Sequence, residues 1–229
     1  MTENAREITS PKDNQKIKDL FRLTTDRMFT ALESYYLWKK FSQMINVNEV
    51  GEVQAKENVA FFQKYWKFFH PVFQSSYKSF VTDLSIFFDA SKYDETFSLK
   101  KLIEEIKTFV SEAEYEAIVN EISVIKKRHG VTIDLILELR NREVAHQEMD
   151  RKSREVIFKD IEDLFKGVQE ILNLLSKYYN RGVTYWDHIE EDVLHSFDWV
   201  KGNLQRGEKV RLREIEEKYN IELPDDVNH

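Results

Sequence analysis

"SEAEYEAIVNEISVIKKRHG", Ser111 to Gly130, reads as one complete helix with both ends marked. Ser111 and Glu114 form the S-x-x-E pattern in which each residue satisfies a free backbone N–H beside the other. Tyr115, Ile118, Ile122 and Ile125 then recur at steps of three and four, the stripe of a helix with one buried face. Gly130 supplies the stop.

The same period continues outward on both sides. Upstream, Ser98 caps a short helix to about Phe109, with Leu99, Leu102, Ile103 and Ile106 inward, and "ASKYDET" before it is a loop. Asn14 to Asn46 reads as one long helix on the stripe Ile17, Leu20, Phe21, Met28, Leu32, Tyr35, Phe41 and Ile45. Gly51 marks a turn. A second run covers Glu52 to Phe69, breaks at His70-Pro71, and resumes to about Asp89, because proline lacks a backbone donor and disfavours a helical predecessor. Its aromatic stretch "FFQKYWKFFHPVF" offers rings that can stack nucleobases. The helical spacing of Phe61, Tyr65, Phe68 and Phe69 favours a place in the core instead.

Downstream, Thr132 opens a helix that ends near Asp150. Ser153 caps another to about Tyr179, with Ile157, Ile161, Leu164, Val168, Ile171 and Leu175 on one face. "NRGV" turns around Gly182, and a last helical stretch covers Trp186 to Tyr219, with a hesitation at "KGNLQRGEK". The expected fold is an all-α bundle of about seven or eight helices with no strand. Residues 1–13 are expected to be a flexible N-terminus, 14–181 the bundle, and 182–229 a C-terminal helical extension packed on the same domain. Trp186 and Trp199 in that extension are expected to pack.

Composition agrees. Of 229 residues, 41% are hydrophobic and 33% charged, with six glycines and three prolines, a balance that favours long helices over many short strands. There is no cysteine, which excludes disulfides, zinc–thiolate sites and thiol catalysis. The first residues lack the apolar segment of a secretory signal, and no run approaches the roughly 20 apolar residues of a membrane span. A cytoplasmic location without membrane contact is expected. The net charge of −7 argues against a surface coated for nucleic acid, though not against a local basic site.

One stretch carries chemistry: "ELRNREVAHQEMD", Glu138 to Asp150. Histidine exchanges protons near neutral pH, and arginine grips phosphate with a fixed fork of donors. Arg140 and His146 with Asn141, an orienting amide, suit metal-independent phosphodiester cleavage. His146 activates the ribose 2′-hydroxyl or protonates the leaving oxygen, and Arg140 stabilises the pentacoordinate phosphate. The substrate must then be RNA, because DNA lacks that hydroxyl. On an ideal helix, Arg140 and His146 lie about 120° and about 9 Å apart, so one straight helix does not bring both to one atom. Either the helix deviates near His146, or two copies meet so that Arg140 of one approaches His146 of the other. The plainer alternative is a surface cluster in which Glu138 and Glu143 pair with Arg142 and Arg140.

The surroundings are locally basic. Between Lys126 and Arg154, eight basic residues face five acidic ones, a local charge of +3. Lys126, Lys127, Arg128, Arg142, Arg151 and Lys152 are the candidate RNA contacts.

"LRNREVAHQ" resembles the signature of the HEPN superfamily, all-α bundles whose motif is an arginine, a polar residue and, several residues on, a histidine. Arg140, Asn141 and His146 match those positions, and Ala145 fits before the histidine. The flanking helices, with "FVTDLSIFFDASKYDETFSLKKLI" upstream, resemble the abortive-infection AbiU-like branch from about Lys16 to Tyr179. The resemblance implies a homodimer with a composite cleft, metal-free endoribonuclease activity in many members, and a toxin–antitoxin or antiphage setting with a partner protein. Other members keep the fold without activity. Two departures stand out: Glu148 occupies the position of a tyrosine that is modified in some family toxins, and "QEM" separates His146 from Asp150.

The remaining candidates read as structural. His70 precedes a proline among aromatics, and His129 sits at a helix end where cations suit the dipole. His188 and His195 near Glu190, Glu191 and Asp192 follow no metal-binding pattern, and no phosphate loop, dinucleotide fingerprint or nucleophile elbow occurs. The reading is a metal-independent, cofactor-free endoribonuclease of toxin or antiphage type. The alternative is a non-catalytic HEPN-like interaction module, and the exposure of His146 separates the two.

Overall fold

The computed structural model describes residues 15–89, 99–145, 158–179 and 186–221. Those residues form nine helices and no strand. In chain order they are α1 (Gln15–Met44), α2 (Val47–Val50), α3 (Glu52–Lys64), α4 (Trp66–Ile86), α5 (Leu99–Ile106), α6 (Glu112–Arg128), α7 (Gly130–Ala145), α8 (Phe158–Tyr179) and α9 (His188–Tyr219).

The chain groups into two compact units: Met1–Ser34 with Tyr77–Trp186, and Tyr35–Ser76 with Asp187–His229. In the first unit α8 packs against α5, α6 and α7. The facing positions are aliphatic and almost fully buried: Leu99, Leu102 and Ile106 on α5, Ile118, Ile122 and Ile125 on α6, Ile136 on α7, and Ile161, Leu164, Val168, Ile171 and Leu175 on α8. Each set recurs at the three- and four-residue steps of one helix face. The start of α6 has the full capping box: Ser111 Oγ accepts from the Glu114 N–H at 3.3 Å, and Glu114 Oε2 accepts from the Ser111 N–H at 2.9 Å.

In the second unit the core is a ring cluster. Phe41, Met44, Phe62, Phe69 and Phe197 are buried, with Phe61, Tyr65 and Phe73 packed against them. Phe41 lies at the centre, 5.1–5.8 Å from the rings of Phe62, Phe69, Phe73 and Phe197. Asn58 ties three elements together. It is 3% exposed, donates to the Met44 carbonyl at the end of α1 at 2.8 Å, and accepts from Lys201 of α9 at 3.0 Å.

Five expectations are corrected. The break expected at His70-Pro71 comes earlier, at Tyr65 (φ −109, ψ 28). Tyr65 donates back to the Phe61 carbonyl, while its own carbonyl accepts from Phe68 and Phe69 and starts α4. Pro71 then falls near the start of α4, where it removes a single ladder bond from the Lys67 carbonyl. The break resets the helix phase. Tyr65 and Phe69 keep facing the core, but Phe68, expected inside, is 53% exposed. The helix expected to open at Thr132 begins at Gly130. The hesitation expected at "KGNLQRGEK" is absent, and α9 runs through Gly202 and Gly207. Two interior glycines cost about 1 kcal/mol each, but that stretch is held within its own unit: Tyr65 Oη donates to the Leu204 backbone carbonyl at 3.4 Å, and Lys64 pairs with Glu208 at 2.8 Å. Of the two tryptophans expected to pack, Trp186 is 5% exposed with its ring 4.6 Å from that of Phe29, whereas Trp199 is 63% exposed.

Candidate active site at the end of α7

α7 presents Ile133, Ile136 and Arg140 along one face, at steps of three and four, and all three are buried. A charged group on such a face requires an opposite charge, because an unpaired guanidinium out of water is strongly destabilising. Asp89 supplies it. This carboxylate follows α4, where its backbone N–H donates to the Ser85 carbonyl at 3.0 Å. Arg140 Nη1 donates to Asp89 Oδ2, and the two residues are 8% and 9% exposed. Arg140 Nη2 donates to Asn141 Oδ1 at 3.0 Å. Asn141 itself is exposed. The arginine and amide singled out in the sequence are therefore one connected group, locked to a residue 51 positions upstream.

The α6–α7 junction sets where α7 starts. His129 ends α6 with its N–H on the Ile125 carbonyl at 3.2 Å, and its own carbonyl accepts from Ile133 at 2.9 Å. Its ring lies against Gly167 of α8: a Cβ at that glycine would come 2.8 Å from His129 Cδ2 and 2.9 Å from Nε2. Nε2 is buried and has no hydrogen-bond partner among the described residues.

The candidate RNA contacts divide. Lys127 is exposed. Lys126 is partly buried, and burial pushes its ammonium pKa below the usual lysine range. Arg128 pairs with Glu170 at 3.0 Å, and Arg142 with Glu138 one turn earlier. Glu170, which lies outside the stretch counted in the sequence, offsets part of its positive charge. His146, Arg151 and Lys152 lie outside the described residues.

Asp89 is the member of the candidate site that sequence reading missed. Its signal was present as a lone carboxylate closing the apolar run "LSIFFD", matched by an arginine on an apolar helix face. Asp187, Glu190, Glu191, Asp192, Leu194 and His195 line a shallow acidic depression in the second unit. No three His, Asp or Glu side chains among the described residues are arranged to hold a metal ion. No described helix is long and apolar enough to cross a membrane.

The described residues are helical throughout their regular structure, the all-α architecture of the HEPN class. The family model HEPN AbiU2, described as AbiU2, matches residues 14–201, and the chain belongs to that family. No curated protein and no solved structure matches the chain.

Proposed function

We propose that this protein is a metal-independent endoribonuclease of bacterial toxin or antiphage type, acting on RNA in the cytoplasm at a site shared by two copies of the chain. The ribose 2′-hydroxyl attacks the adjacent phosphorus, and the 5′-oxygen leaves with a proton. The products are a 2′,3′-cyclic phosphate and a 5′-hydroxyl. His146 moves the proton. Arg140 steadies the phosphorane through those of its five donors not committed to Asp89 and Asn141. The observation that carries the reading is Arg140-Asn141 with His146 six residues on, in a chain of the HEPN AbiU2 family. A protein partner that restrains or triggers the activity belongs to the same reading.

The test is RNA cleavage in excess EDTA, wild type beside His146→Ala, with analysis of the product ends. Cleavage by wild type alone, leaving 2′,3′-cyclic phosphate, is the expected outcome. Equal cutting by both proteins would remove His146 from the chemistry.

One observation favours a second reading, a non-catalytic helical module working with a partner protein. Arg140 is 8% exposed and already paired, as a brace would be. If neither protein cuts RNA while Asp89→Asn still unfolds more easily than wild type, the brace is the role that remains.

A further inference from the structure

The early break at Tyr65 has a second effect: it turns part of the aromatic run outward. Trp66 and Phe68 are 54% and 53% exposed, with Lys67 exposed between them. Trp66 is not loose. Its ring lies 4.2 Å from that of His70, one turn later, at an interplanar angle of 31°. With one face of the indole held against the imidazole, its exposure falls on the other face and the edge. This is a flat apolar surface fixed in advance, on a unit whose core is already closed by other rings.

The segment that carries it has charge of one sign. From Asn58 to Thr82 there is no aspartate or glutamate, although the chain carries net −7. Glu208 meets this segment at Lys64 and is shared between Lys64 at 2.8 Å and Arg211 at 2.7 Å, so that cluster keeps a positive charge. Lys67 adds another. An exposed ring pair with adjacent cations and no carboxylate in its own segment suits an unpaired base with its phosphate. Every base has a π-face, and every linkage has a negative charge.

We propose that the Trp66–His70 stack with Lys67 is a second RNA-contacting surface, on which one base of a single-stranded RNA stacks against the free face of Trp66 while Lys67 contacts the neighbouring phosphate. The inference rests on RNA being the substrate, but it concerns binding alone. The experiment is therefore kept apart from cleavage. Fluorescently labelled single-stranded RNA carrying 2′-O-methyl groups, which removes the attacking hydroxyl, is titrated with the full chain in EDTA, and binding is read by anisotropy.

Trp66→Ala is expected to weaken binding about tenfold. Trp66→Phe keeps a ring and most of the affinity. Lys67→Gln lowers the salt dependence. Trp199→Ala, at an exposed tryptophan with no ring partner described, leaves binding unchanged. Circular dichroism checks that each variant is folded, and the two conservative variants decide the matter should Trp66→Ala not fold. Equal binding by Trp66→Ala and wild type, or no binding by wild type, overturns the proposal. RNA binding intact with an altered oligomeric mass in light scattering would assign the rings to a protein contact instead, and also overturns it. Normal binding without any cleavage would leave this surface standing and remove the nuclease reading.

Discussion

In the first unit α5 to α8 meet mainly through branched aliphatic side chains, whereas the second is closed by a knot of phenylalanines around Phe41. The two cores place different demands on the backbone. Isoleucine and leucine at three- and four-residue steps fill a groove between straight helices, so α5, α6 and α8 follow their periodic pattern. Rings need room and edge-to-face approach. In the second unit the helix breaks at Tyr65, and Phe62 of α3 and Phe69 and Phe73 of α4 all reach the Phe41 ring. The same break exposes Trp66 and Phe68. Polar groups differ as well. The first unit buries a full ion pair, Arg140 with Asp89. The second buries a neutral amide, Asn58, and keeps its charged cluster, Lys64–Glu208–Arg211, on a wetter side.

The contrast is broken most strongly at its two centres. Phe41→Ala is expected to cost about 4 kcal/mol, because the cavity lies where four other rings converge. Hydrogen exchange should then quicken in α3 and α9 well before α6 and α8. Uniform quickening would mean that the two units unfold as one. Asp89→Ala is expected to cost about 3 kcal/mol in urea unfolding, since it leaves the Arg140 guanidinium buried without its counter-charge. The paired replacement Asp89→Leu with Arg140→Met should recover most of that loss. If it recovers stability but abolishes RNA cleavage, the pair serves the site; if cleavage was never present, it is a brace.

The same contrast explains what could be read from the sequence. The capping box at Ser111 and Glu114, the buried faces of α5, α6 and α8, and the all-helical class were legible because each depends on residues within one or two turns. Arg140 and Asn141 were legible as residue types. Asp89 was not, because the fact that pairs it with Arg140 is 51 residues of chain folding back, and no local rule contains it. The position of the break was misjudged for a related reason. His70-Pro71 carries the local signal, yet packing around Phe41 decides, and a proline near a helix start loses only one bond. The stretch holding Gly202 and Gly207 signals a hesitation by the same local logic and is overridden by contacts to α3 and to Tyr65.

A smaller effect is expected at Gly167. Alanine there forces the His129 ring aside, and overpacking of this kind costs about 1–2 kcal/mol. The ring can swing, so the cost should lie below that of Asp89→Ala. The double variant Gly167→Ala with His129→Ala removes the obstacle and should return part of the stability. If Gly167→Ala alone is neutral in thermal melting, the close approach does not fix the α6–α7 junction.

The smallest effect sharpens the electrostatic half of the comparison. Hydrogen bonds from Arg211 and Lys64 hold the Glu208 carboxyl down at about 2, from an ordinary 4.5. A carboxylate with a depressed folded pKa adds stability that is fully present above the unfolded value and is lost as pH falls through the folded one. The window is therefore pH 4.5 down to about 2. The carboxylate is 16% accessible, but part of its cover is two flexible cations that themselves meet water. Solvent screening then limits the contribution to under about 1 kcal/mol. Glu208→Gln should melt slightly earlier than wild type at neutral pH, and the gap should close on acidification across that window. A gap that stays constant to the acid end would show that Glu208 acts through packing on Lys64 and not through its charge.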